Sequence, residues 1–167
     1  MRVLVQDSNT SKIKNVLCDA ADEFFIRKAL FLARQSENQE IPIGAVLTKD
    51  GTILGEGFNC PVKTIDPTAH AEMLAIREAA RNLGNYRLLK TTLYVTLEPC
   101  LMCLGAIVHA RIQRLVFGAF RPLRAWTKKE GCRILDELWT NHRLSWKGGI
   151  LSDECSSALK EFFRKRR

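Results

Sequence analysis

Three consecutive stretches decide the reading: Asp66-Pro67-Thr68-Ala69-His70-Ala71-Glu72, then Thr91-Thr92-Leu93-Tyr94-Val95-Thr96-Leu97, then Glu98-Pro99-Cys100-Leu101-Met102-Cys103. The middle stretch is β-branched and aromatic, the composition of a half- or fully buried strand. Pro99 ends it and opens an apolar run over 100–110, which predicts a buried helix. Cys100 and Cys103, three residues apart, then fall on one face of that helix. The helix dipole and unpaired N–H groups at its start favour thiolates, the form that binds zinc. His70 stands at the start of a second predicted helix, 69–83, which Gly84 ends. Three protein ligands leave the fourth position of a tetrahedral zinc open, as in catalytic rather than structural sites. Glu72 lies two residues beyond the histidine, where it can face the open position without ligating and carry protons between water and a leaving group. The expectation is one zinc ion per chain, held by His70, Cys100 and Cys103, with Glu72 as the catalytic acid and base.

Working outward, Asp19 is a candidate cap for a helix over 19–35, in which Phe25, Ala29 and Leu32 recur at helical spacing. Residues 1–20 then form an extension with no assigned role, and 21–167 a single domain. A strand over 43–48, the tight turn Asp50-Gly51 and a returning strand Thr52–Phe58 make a hairpin. A further strand over 112–118, a helix near 134–139, a turn at Gly148-Gly149 and a helix over 153–165 complete the chain. Strands alternating with helices after an opening hairpin predict an α/β sandwich around a mixed sheet.

With 167 residues, 46% of them hydrophobic, the chain can bury one good core. No apolar run approaches the roughly 18 residues of a membrane span, and residues 1–6 are too short for a signal-peptide core. The expectation is a cytoplasmic protein with no membrane partner. In a reducing compartment, Cys18, Cys60, Cys132 and Cys155 read as ordinary free cysteines. A structural zinc would need a fourth ligand from Cys60, Cys132, His109 or His142, and none of these has motif spacing.

The net charge of +8 is concentrated. Residues 120–133 contribute +4 and residues 160–167 another +4, leaving the rest of the chain neutral. Both segments carry aromatic residues, Phe120 and Trp126 in the first, Phe162 and Phe163 in the second. Cations interleaved with stackable rings suit a polyanion with bases, although solvated surface would look the same.

The combination of His-x-Glu with Pro-Cys-x-x-Cys is a signature of zinc-dependent base deaminases. Further segments sharpen the resemblance: Ile41-Pro42-Ile43-Gly44-Ala45-Val46-Leu47, Gly57-Phe58-Asn59, Asn85-Tyr86-Arg87-Leu88, Asn141-His142-Arg143 and Phe162-Phe163-Arg164. From about Phe24 to the C-terminus the chain resembles the bacterial tRNA-specific adenosine deaminases, within the cytidine-deaminase-like superfamily. That resemblance implies a three-layer sandwich with a mixed five-stranded sheet flanked by helices. It implies a homodimer that binds a tRNA anticodon stem-loop and converts the wobble adenosine of an arginine tRNA to inosine. It also implies that Asn59 and the Ala71 N–H contact the flipped-out base and that Ile43 and Leu97 wall the pocket; Arg121, Arg143, Phe162, Phe163 and Arg164 are candidate RNA contacts, with only one of the two adjacent phenylalanines expected to matter.

One segment departs from the family pattern. Arg121 stands where the family carries an aspartate near the target ribose. An acid accepts from a 2′-hydroxyl, whereas an arginine only donates and seeks phosphate. Three readings remain open on sequence: an RNA-directed adenosine deaminase, a deaminase of a free base or nucleotide such as cytosine or guanine, and a nucleic-acid-binding protein with a structural zinc.

Overall fold

The computed structural model describes residues 8–36, 39–121 and 142–166, with residues 8–18 described by their backbone alone. Within them the chain runs α1 (Ser8–Ala33), β1 (Gly44–Lys49), β2 (Thr52–Phe58), α2 (Pro61–Thr64), α3 (Ala71–Leu83), β3 (Thr91–Leu97), α4 (Leu101–His109), β4 (Arg114–Ala119), β5 (Ser145–Gly148) and α5 (Ser152–Arg164). The five strands form one mixed sheet in the order β2-β1-β3-β4-β5. β1 is antiparallel to both β2 and β3, and β3, β4 and β5 run parallel. Helix α4 is the crossover between parallel β3 and β4, a connection that needs an element of this length.

Register assigns the layers. Gly44 pairs with Phe58 and Ala45 with Gly57, so Gly44 and Gly57 face opposite sides of the sheet. A Cβ on Gly44 would strike the Ala29 carbonyl of α1, and one on Gly57 would lie 2.3 Å from the Ala71 carbonyl of α3. Helices α1 and α3 therefore cover opposite faces. α5 joins the α1 side, where Arg27 and Glu154 pair at 2.8 Å, and α4 packs with α3. Ile26, Val46, Leu47, Leu93, Val95, Leu104, Ile107, Leu115 and Phe117 are fully buried between the layers, with no exposed surface. This is the expected three-layer sandwich with a five-stranded sheet.

Several boundaries differ from the sequence expectation. Asp19 does not start α1; the helix begins at Ser8 and passes without a break through the proposed boundary at residue 20. The capping preference of Asp19 yields to a tertiary contact, because its carboxylate accepts from Lys147 Nζ of β5. β5 went unrecognised, since Ser145-Trp146-Lys147-Gly148 is short, carries a charge and a terminal glycine, and lies at the sheet edge. The expected helix near 134–139, Trp126, Cys132 and most of the first basic segment lie outside the described residues.

A buried charge cluster fastens the sheet edge to α1. Asp22, fully buried, accepts both arms of the Arg114 fork at 2.7 Å each and Lys147 Nζ at 3.2 Å. Burial raises the Asp22 carboxyl, but the Arg114 and Lys147 hydrogen bonds and charges outweigh it and hold the group below the usual carboxylate range.

Candidate active site

The loop 66–69 is wound so that it delivers His70 to a helix start. Asp66 Oδ1 accepts from both the N–H and the hydroxyl of Thr68, at 2.7 Å each, and the Ala69 N–H returns to the Asp66 carbonyl. Such a side-chain turn replaces backbone pairing that the loop lacks. His70 is then the N-cap of α3, in extended conformation, and Glu72 enters the first turn. Thirty residues later the same device recurs: Cys100 is the N-cap of α4, extended after Pro99, and Cys103 lies buried in the first turn.

The two helix starts converge beyond the C-terminal end of β3. His70 Nδ1 lies 3.6 Å from Cys100 Sγ and 3.5 Å from Cys103 Sγ, and the two sulfurs are 3.6 Å apart. A tetrahedral zinc with Zn–S of about 2.3 Å and Zn–N of about 2.05 Å would set the sulfurs about 3.8 Å apart and each sulfur about 3.6 Å from the nitrogen. The triangle fits a tetrahedral face within a few tenths of an ångström, and its three donors suit zinc. Among the described residues no fourth His, Cys, Asp or Glu joins the cluster, so Cys60, His109 and His142 are not ligands. His142 Nε2 instead bonds the Ile112 carbonyl at 2.6 Å. The chain has the donor set of an open, catalytic zinc site.

The electrostatics agree. The Cys103 thiol hydrogen bond, with His70, pulls Cys100 down to about 3, while the same bond, burial and Glu72 push Cys103 up. A thiolate is the form in which a cysteine ligates zinc. His70 is raised, chiefly by its bond to Cys100 and against the effect of burial. Glu72 is 2% exposed, and burial raises its carboxyl above the ordinary range. A carboxyl raised by burial is suited to hold and return a proton.

A cleft of about 690 Å³ opens onto this cluster. Ile43, Asn59 and Leu97 line it together with His70. Ala71 is placed differently: its N–H is donated to Asn59 Oδ1 at 3.0 Å and is not presented to the cleft. That bond occupies Asn59 Oδ1 and fixes the amide orientation. Arg121 also lines the cleft, and so do Phe163 and Arg164. Phe162 does not. It is half-buried on another side of α5 under the Arg166 guanidinium, 4.1 Å from its ring centre. Arg143 is exposed and precedes β5, whose start pairs with Arg114 at the start of β4, so it lies at the sheet end opposite the cleft.

The sequence reading missed Ser156 and Leu159 and took Phe120 and Lys160 only as parts of the two basic segments; all four also line the cleft. A signal was present, because Ser156, Leu159, Lys160, Phe163 and Arg164 follow helical i, i+3, i+4 spacing and so share one face of α5. It also missed Glu98, fully buried, whose carbonyl and carboxylate hold the Arg121 side chain and backbone.

Residues 19–119 match the family model of the cytidine and deoxycytidylate deaminase zinc-binding region, which places the chain among the zinc-binding deaminases. The tRNA-specific adenosine deaminase of Haemophilus influenzae is 51% identical over 148 residues, covering 87% of this chain and 85% of that protein. That of Bacillus subtilis is 43% identical over 152 residues, covering 87% and 91%. A solved structure from work on A-to-I editing by tRNA:A34 deaminases superposes with a TM-score of 0.76 at 40% identity, over 81% of this chain and 99% of that one. The chain belongs to the family of tRNA-specific adenosine deaminases. The guanine deaminase of Nitrosomonas europaea shares the fold, with a TM-score of 0.68 at 23% identity over 86% of this chain and 83% of that one.

Proposed function

We propose that this enzyme hydrolyses the exocyclic amine of adenosine at the wobble position of a tRNA, an arginine tRNA in the first instance, giving inosine and ammonia. The observation that carries the reading is the His70, Cys100 and Cys103 triangle with Glu72 buried beside it at the base of an apolar cleft. Zinc bound there supplies a Lewis acid that makes water acidic enough to attack at neutral pH. Glu72 takes the water's proton and passes it to the departing amine, so the carboxylate is regenerated as ammonia leaves. Asn59 donates its NH₂ to an acceptor on the base, held for that task by the Ala71 N–H. Ile43 and Leu97 flank the ring and exclude bulk water.

Surface features support a macromolecular substrate and a paired assembly. The cleft mouth carries Arg121, Lys160 and Arg164 with the exposed rings of Phe120 and Phe163, a set suited to single-stranded, splayed-out nucleotides of an anticodon loop. Val62, Ile65, Leu101 and Met102 are exposed apolar residues next in sequence to the site segments, and a second copy of the chain covers them in a homodimer. Cys60, Cys100, Cys103 and Cys155 are free, in keeping with a cytoplasmic location, and among the described residues no helix is long and apolar enough to cross a membrane. Residues 21–167 act as one deaminase domain. The test is to incubate the zinc-loaded protein with total tRNA and map inosine, with free adenosine, cytosine and guanine in parallel. Inosine at a wobble position is expected; activity confined to a free base would replace this reading with that of a small-molecule deaminase.

A further inference from the structure

Arg121 is held in place by more than its backbone. Its N–H donates to Glu98 Oε2 at 2.9 Å and its side-chain Nε donates to the Glu98 carbonyl at 2.8 Å. Glu98 is fully buried, and its own N–H is donated to the Ala119 carbonyl at 2.9 Å, so the anchor is part of the sheet end itself. Fixing Nε fixes the plane of the guanidinium. Both Nη nitrogens lack a hydrogen-bond or ion-pair partner among the described residues, while Arg121 lines the cleft.

Helix α5 brings Lys160 and Arg164 to the same cleft. They are one helical turn apart, about 6 Å along the axis at about 1.5 Å per residue. Neither has a hydrogen-bond or ion-pair partner among the described residues; the nearby Glu161 pairs with Lys165 instead, at 2.8 Å. Among the described residues that line the cleft there is no carboxylate, and each side chain with a full formal charge is a cation. Cations of one sign around an apolar cavity create a positive potential there that draws an anionic ligand in. Phe120 and Phe163, about half exposed at 47% and 52%, flank the same opening.

We propose that Arg121, Lys160 and Arg164 form a phosphodiester-binding subsite that grips the RNA backbone next to the target nucleotide while its base occupies the pocket walled by Ile43, Asn59 and Leu97. The Arg121 fork, with one edge tied to Glu98, presents its remaining two nitrogens to two phosphate oxygens. The two α5 cations, which line the same cleft, complete the grip, and Glu98 is the positioning residue that sets the guanidinium plane. The subsite acts on binding and placement of the substrate. It rests on the RNA reading given above.

The test uses the full-length, zinc-loaded protein carrying Glu72→Gln, so that binding is read without turnover, and a short RNA hairpin with adenosine at the wobble position of its loop. Arg121→Gln should weaken binding about tenfold or more, the loss typical of a charge-assisted hydrogen bond. Lys160→Gln with Arg164→Gln, at exposed positions that the fold does not need, should weaken it in the same direction and reduce the salt dependence. Replacing the linkages on either side of the target adenosine by uncharged methylphosphonates should cost the Arg121-containing protein affinity and cost the Arg121→Gln protein little. In the background with Glu72 intact, the Arg121→Gln loss should appear in KM rather than kcat. Equal methylphosphonate penalties with and without Arg121, or unaltered hairpin binding by Arg121→Gln at unchanged zinc content, would overturn the subsite while leaving the RNA reading in place. If the protein with intact Glu72 fails to deaminate any hairpin and acts on a free base, the RNA reading falls and the subsite with it.

Discussion

Gly57→Ala should damage the enzyme through geometry alone. A methyl at this position would lie 2.3 Å from the Ala71 carbonyl oxygen, 2.9 Å from the Ala75 nitrogen and 2.9 Å from Leu74 Cβ. Two of these are backbone atoms and cannot rotate away. Reaching an ordinary contact of about 3.4 Å requires the start of α3 to lift by roughly 1 Å from β2. That turn carries Ala71 and Glu72, and His70 is its N-cap. Overpacking of this kind costs about 1–3 kcal/mol of stability, and a displacement of about 1 Å at a catalytic group costs on the order of 100-fold in rate. Gly105→Ala is the control: nothing lies within 4 Å of its added methyl, and in helix α4 alanine is favoured by about 1 kcal/mol. Thermal melts, zinc content and kcat of both variants decide the matter. Gly57→Ala should melt lower and lose most of its activity, whereas Gly105→Ala should melt no lower than the parent. A Gly57→Ala protein with parental melting temperature and turnover would refute the claim that close helix–strand approach positions the site.

Cys103→Ala should bind zinc far more weakly, and full zinc content by elemental analysis would remove it from the ligand set. Asp22→Asn should cost about 1–3 kcal/mol by removing the charge-assisted hydrogen bonds to Arg114 and Lys147, seen as a lower melting temperature near pH 7. Because the Asp22 carboxyl is held below its ordinary value in the fold, its contribution is full above the unfolded pKa of about 3.9 and fades as pH falls through the folded value. The gap between the two proteins should therefore close in acid, and a gap of constant size down to pH 2 would contradict the assignment. Neutralising Arg164, Lys165, Arg166 and Arg167 together should weaken RNA binding and flatten the slope of log affinity against log salt; an unchanged slope would make those residues mere solvated surface.

The parts legible in the sequence are those where local chemistry and tertiary demand agree. Thr52–Phe58 and Thr91–Leu97 match their expected bounds because turn residues and β-branched runs mark them, and Gly84 ends α3 in the left-handed conformation that glycine favours. The ligand triangle was legible because each motif carries its own helix start. What the sequence hid depends on distant partners. The start of α1 was misplaced because Asp19 serves Lys147 instead of a cap. β5 is set by pairing with β4, not by its own composition. The Ala71 N–H is claimed by Asn59, twelve positions away, and the Arg121 plane by Glu98, twenty-three positions away. The placement of Arg143 away from the cleft likewise follows from sheet register, which charge alone does not reveal.

The most direct measurement is inosine formation in tRNA by zinc-loaded protein and by its Glu72→Gln variant at matched zinc content. Glutamine preserves shape and cannot carry the proton, and loss of a general acid or base is typically worth about 10²- to 10⁴-fold. Wobble inosine from the parent, with the variant retaining zinc and fold but slowed by at least about 100-fold, is the predicted result. Near-parental turnover by Glu72→Gln, or no inosine in tRNA from the fully zinc-loaded parent, would contradict the account.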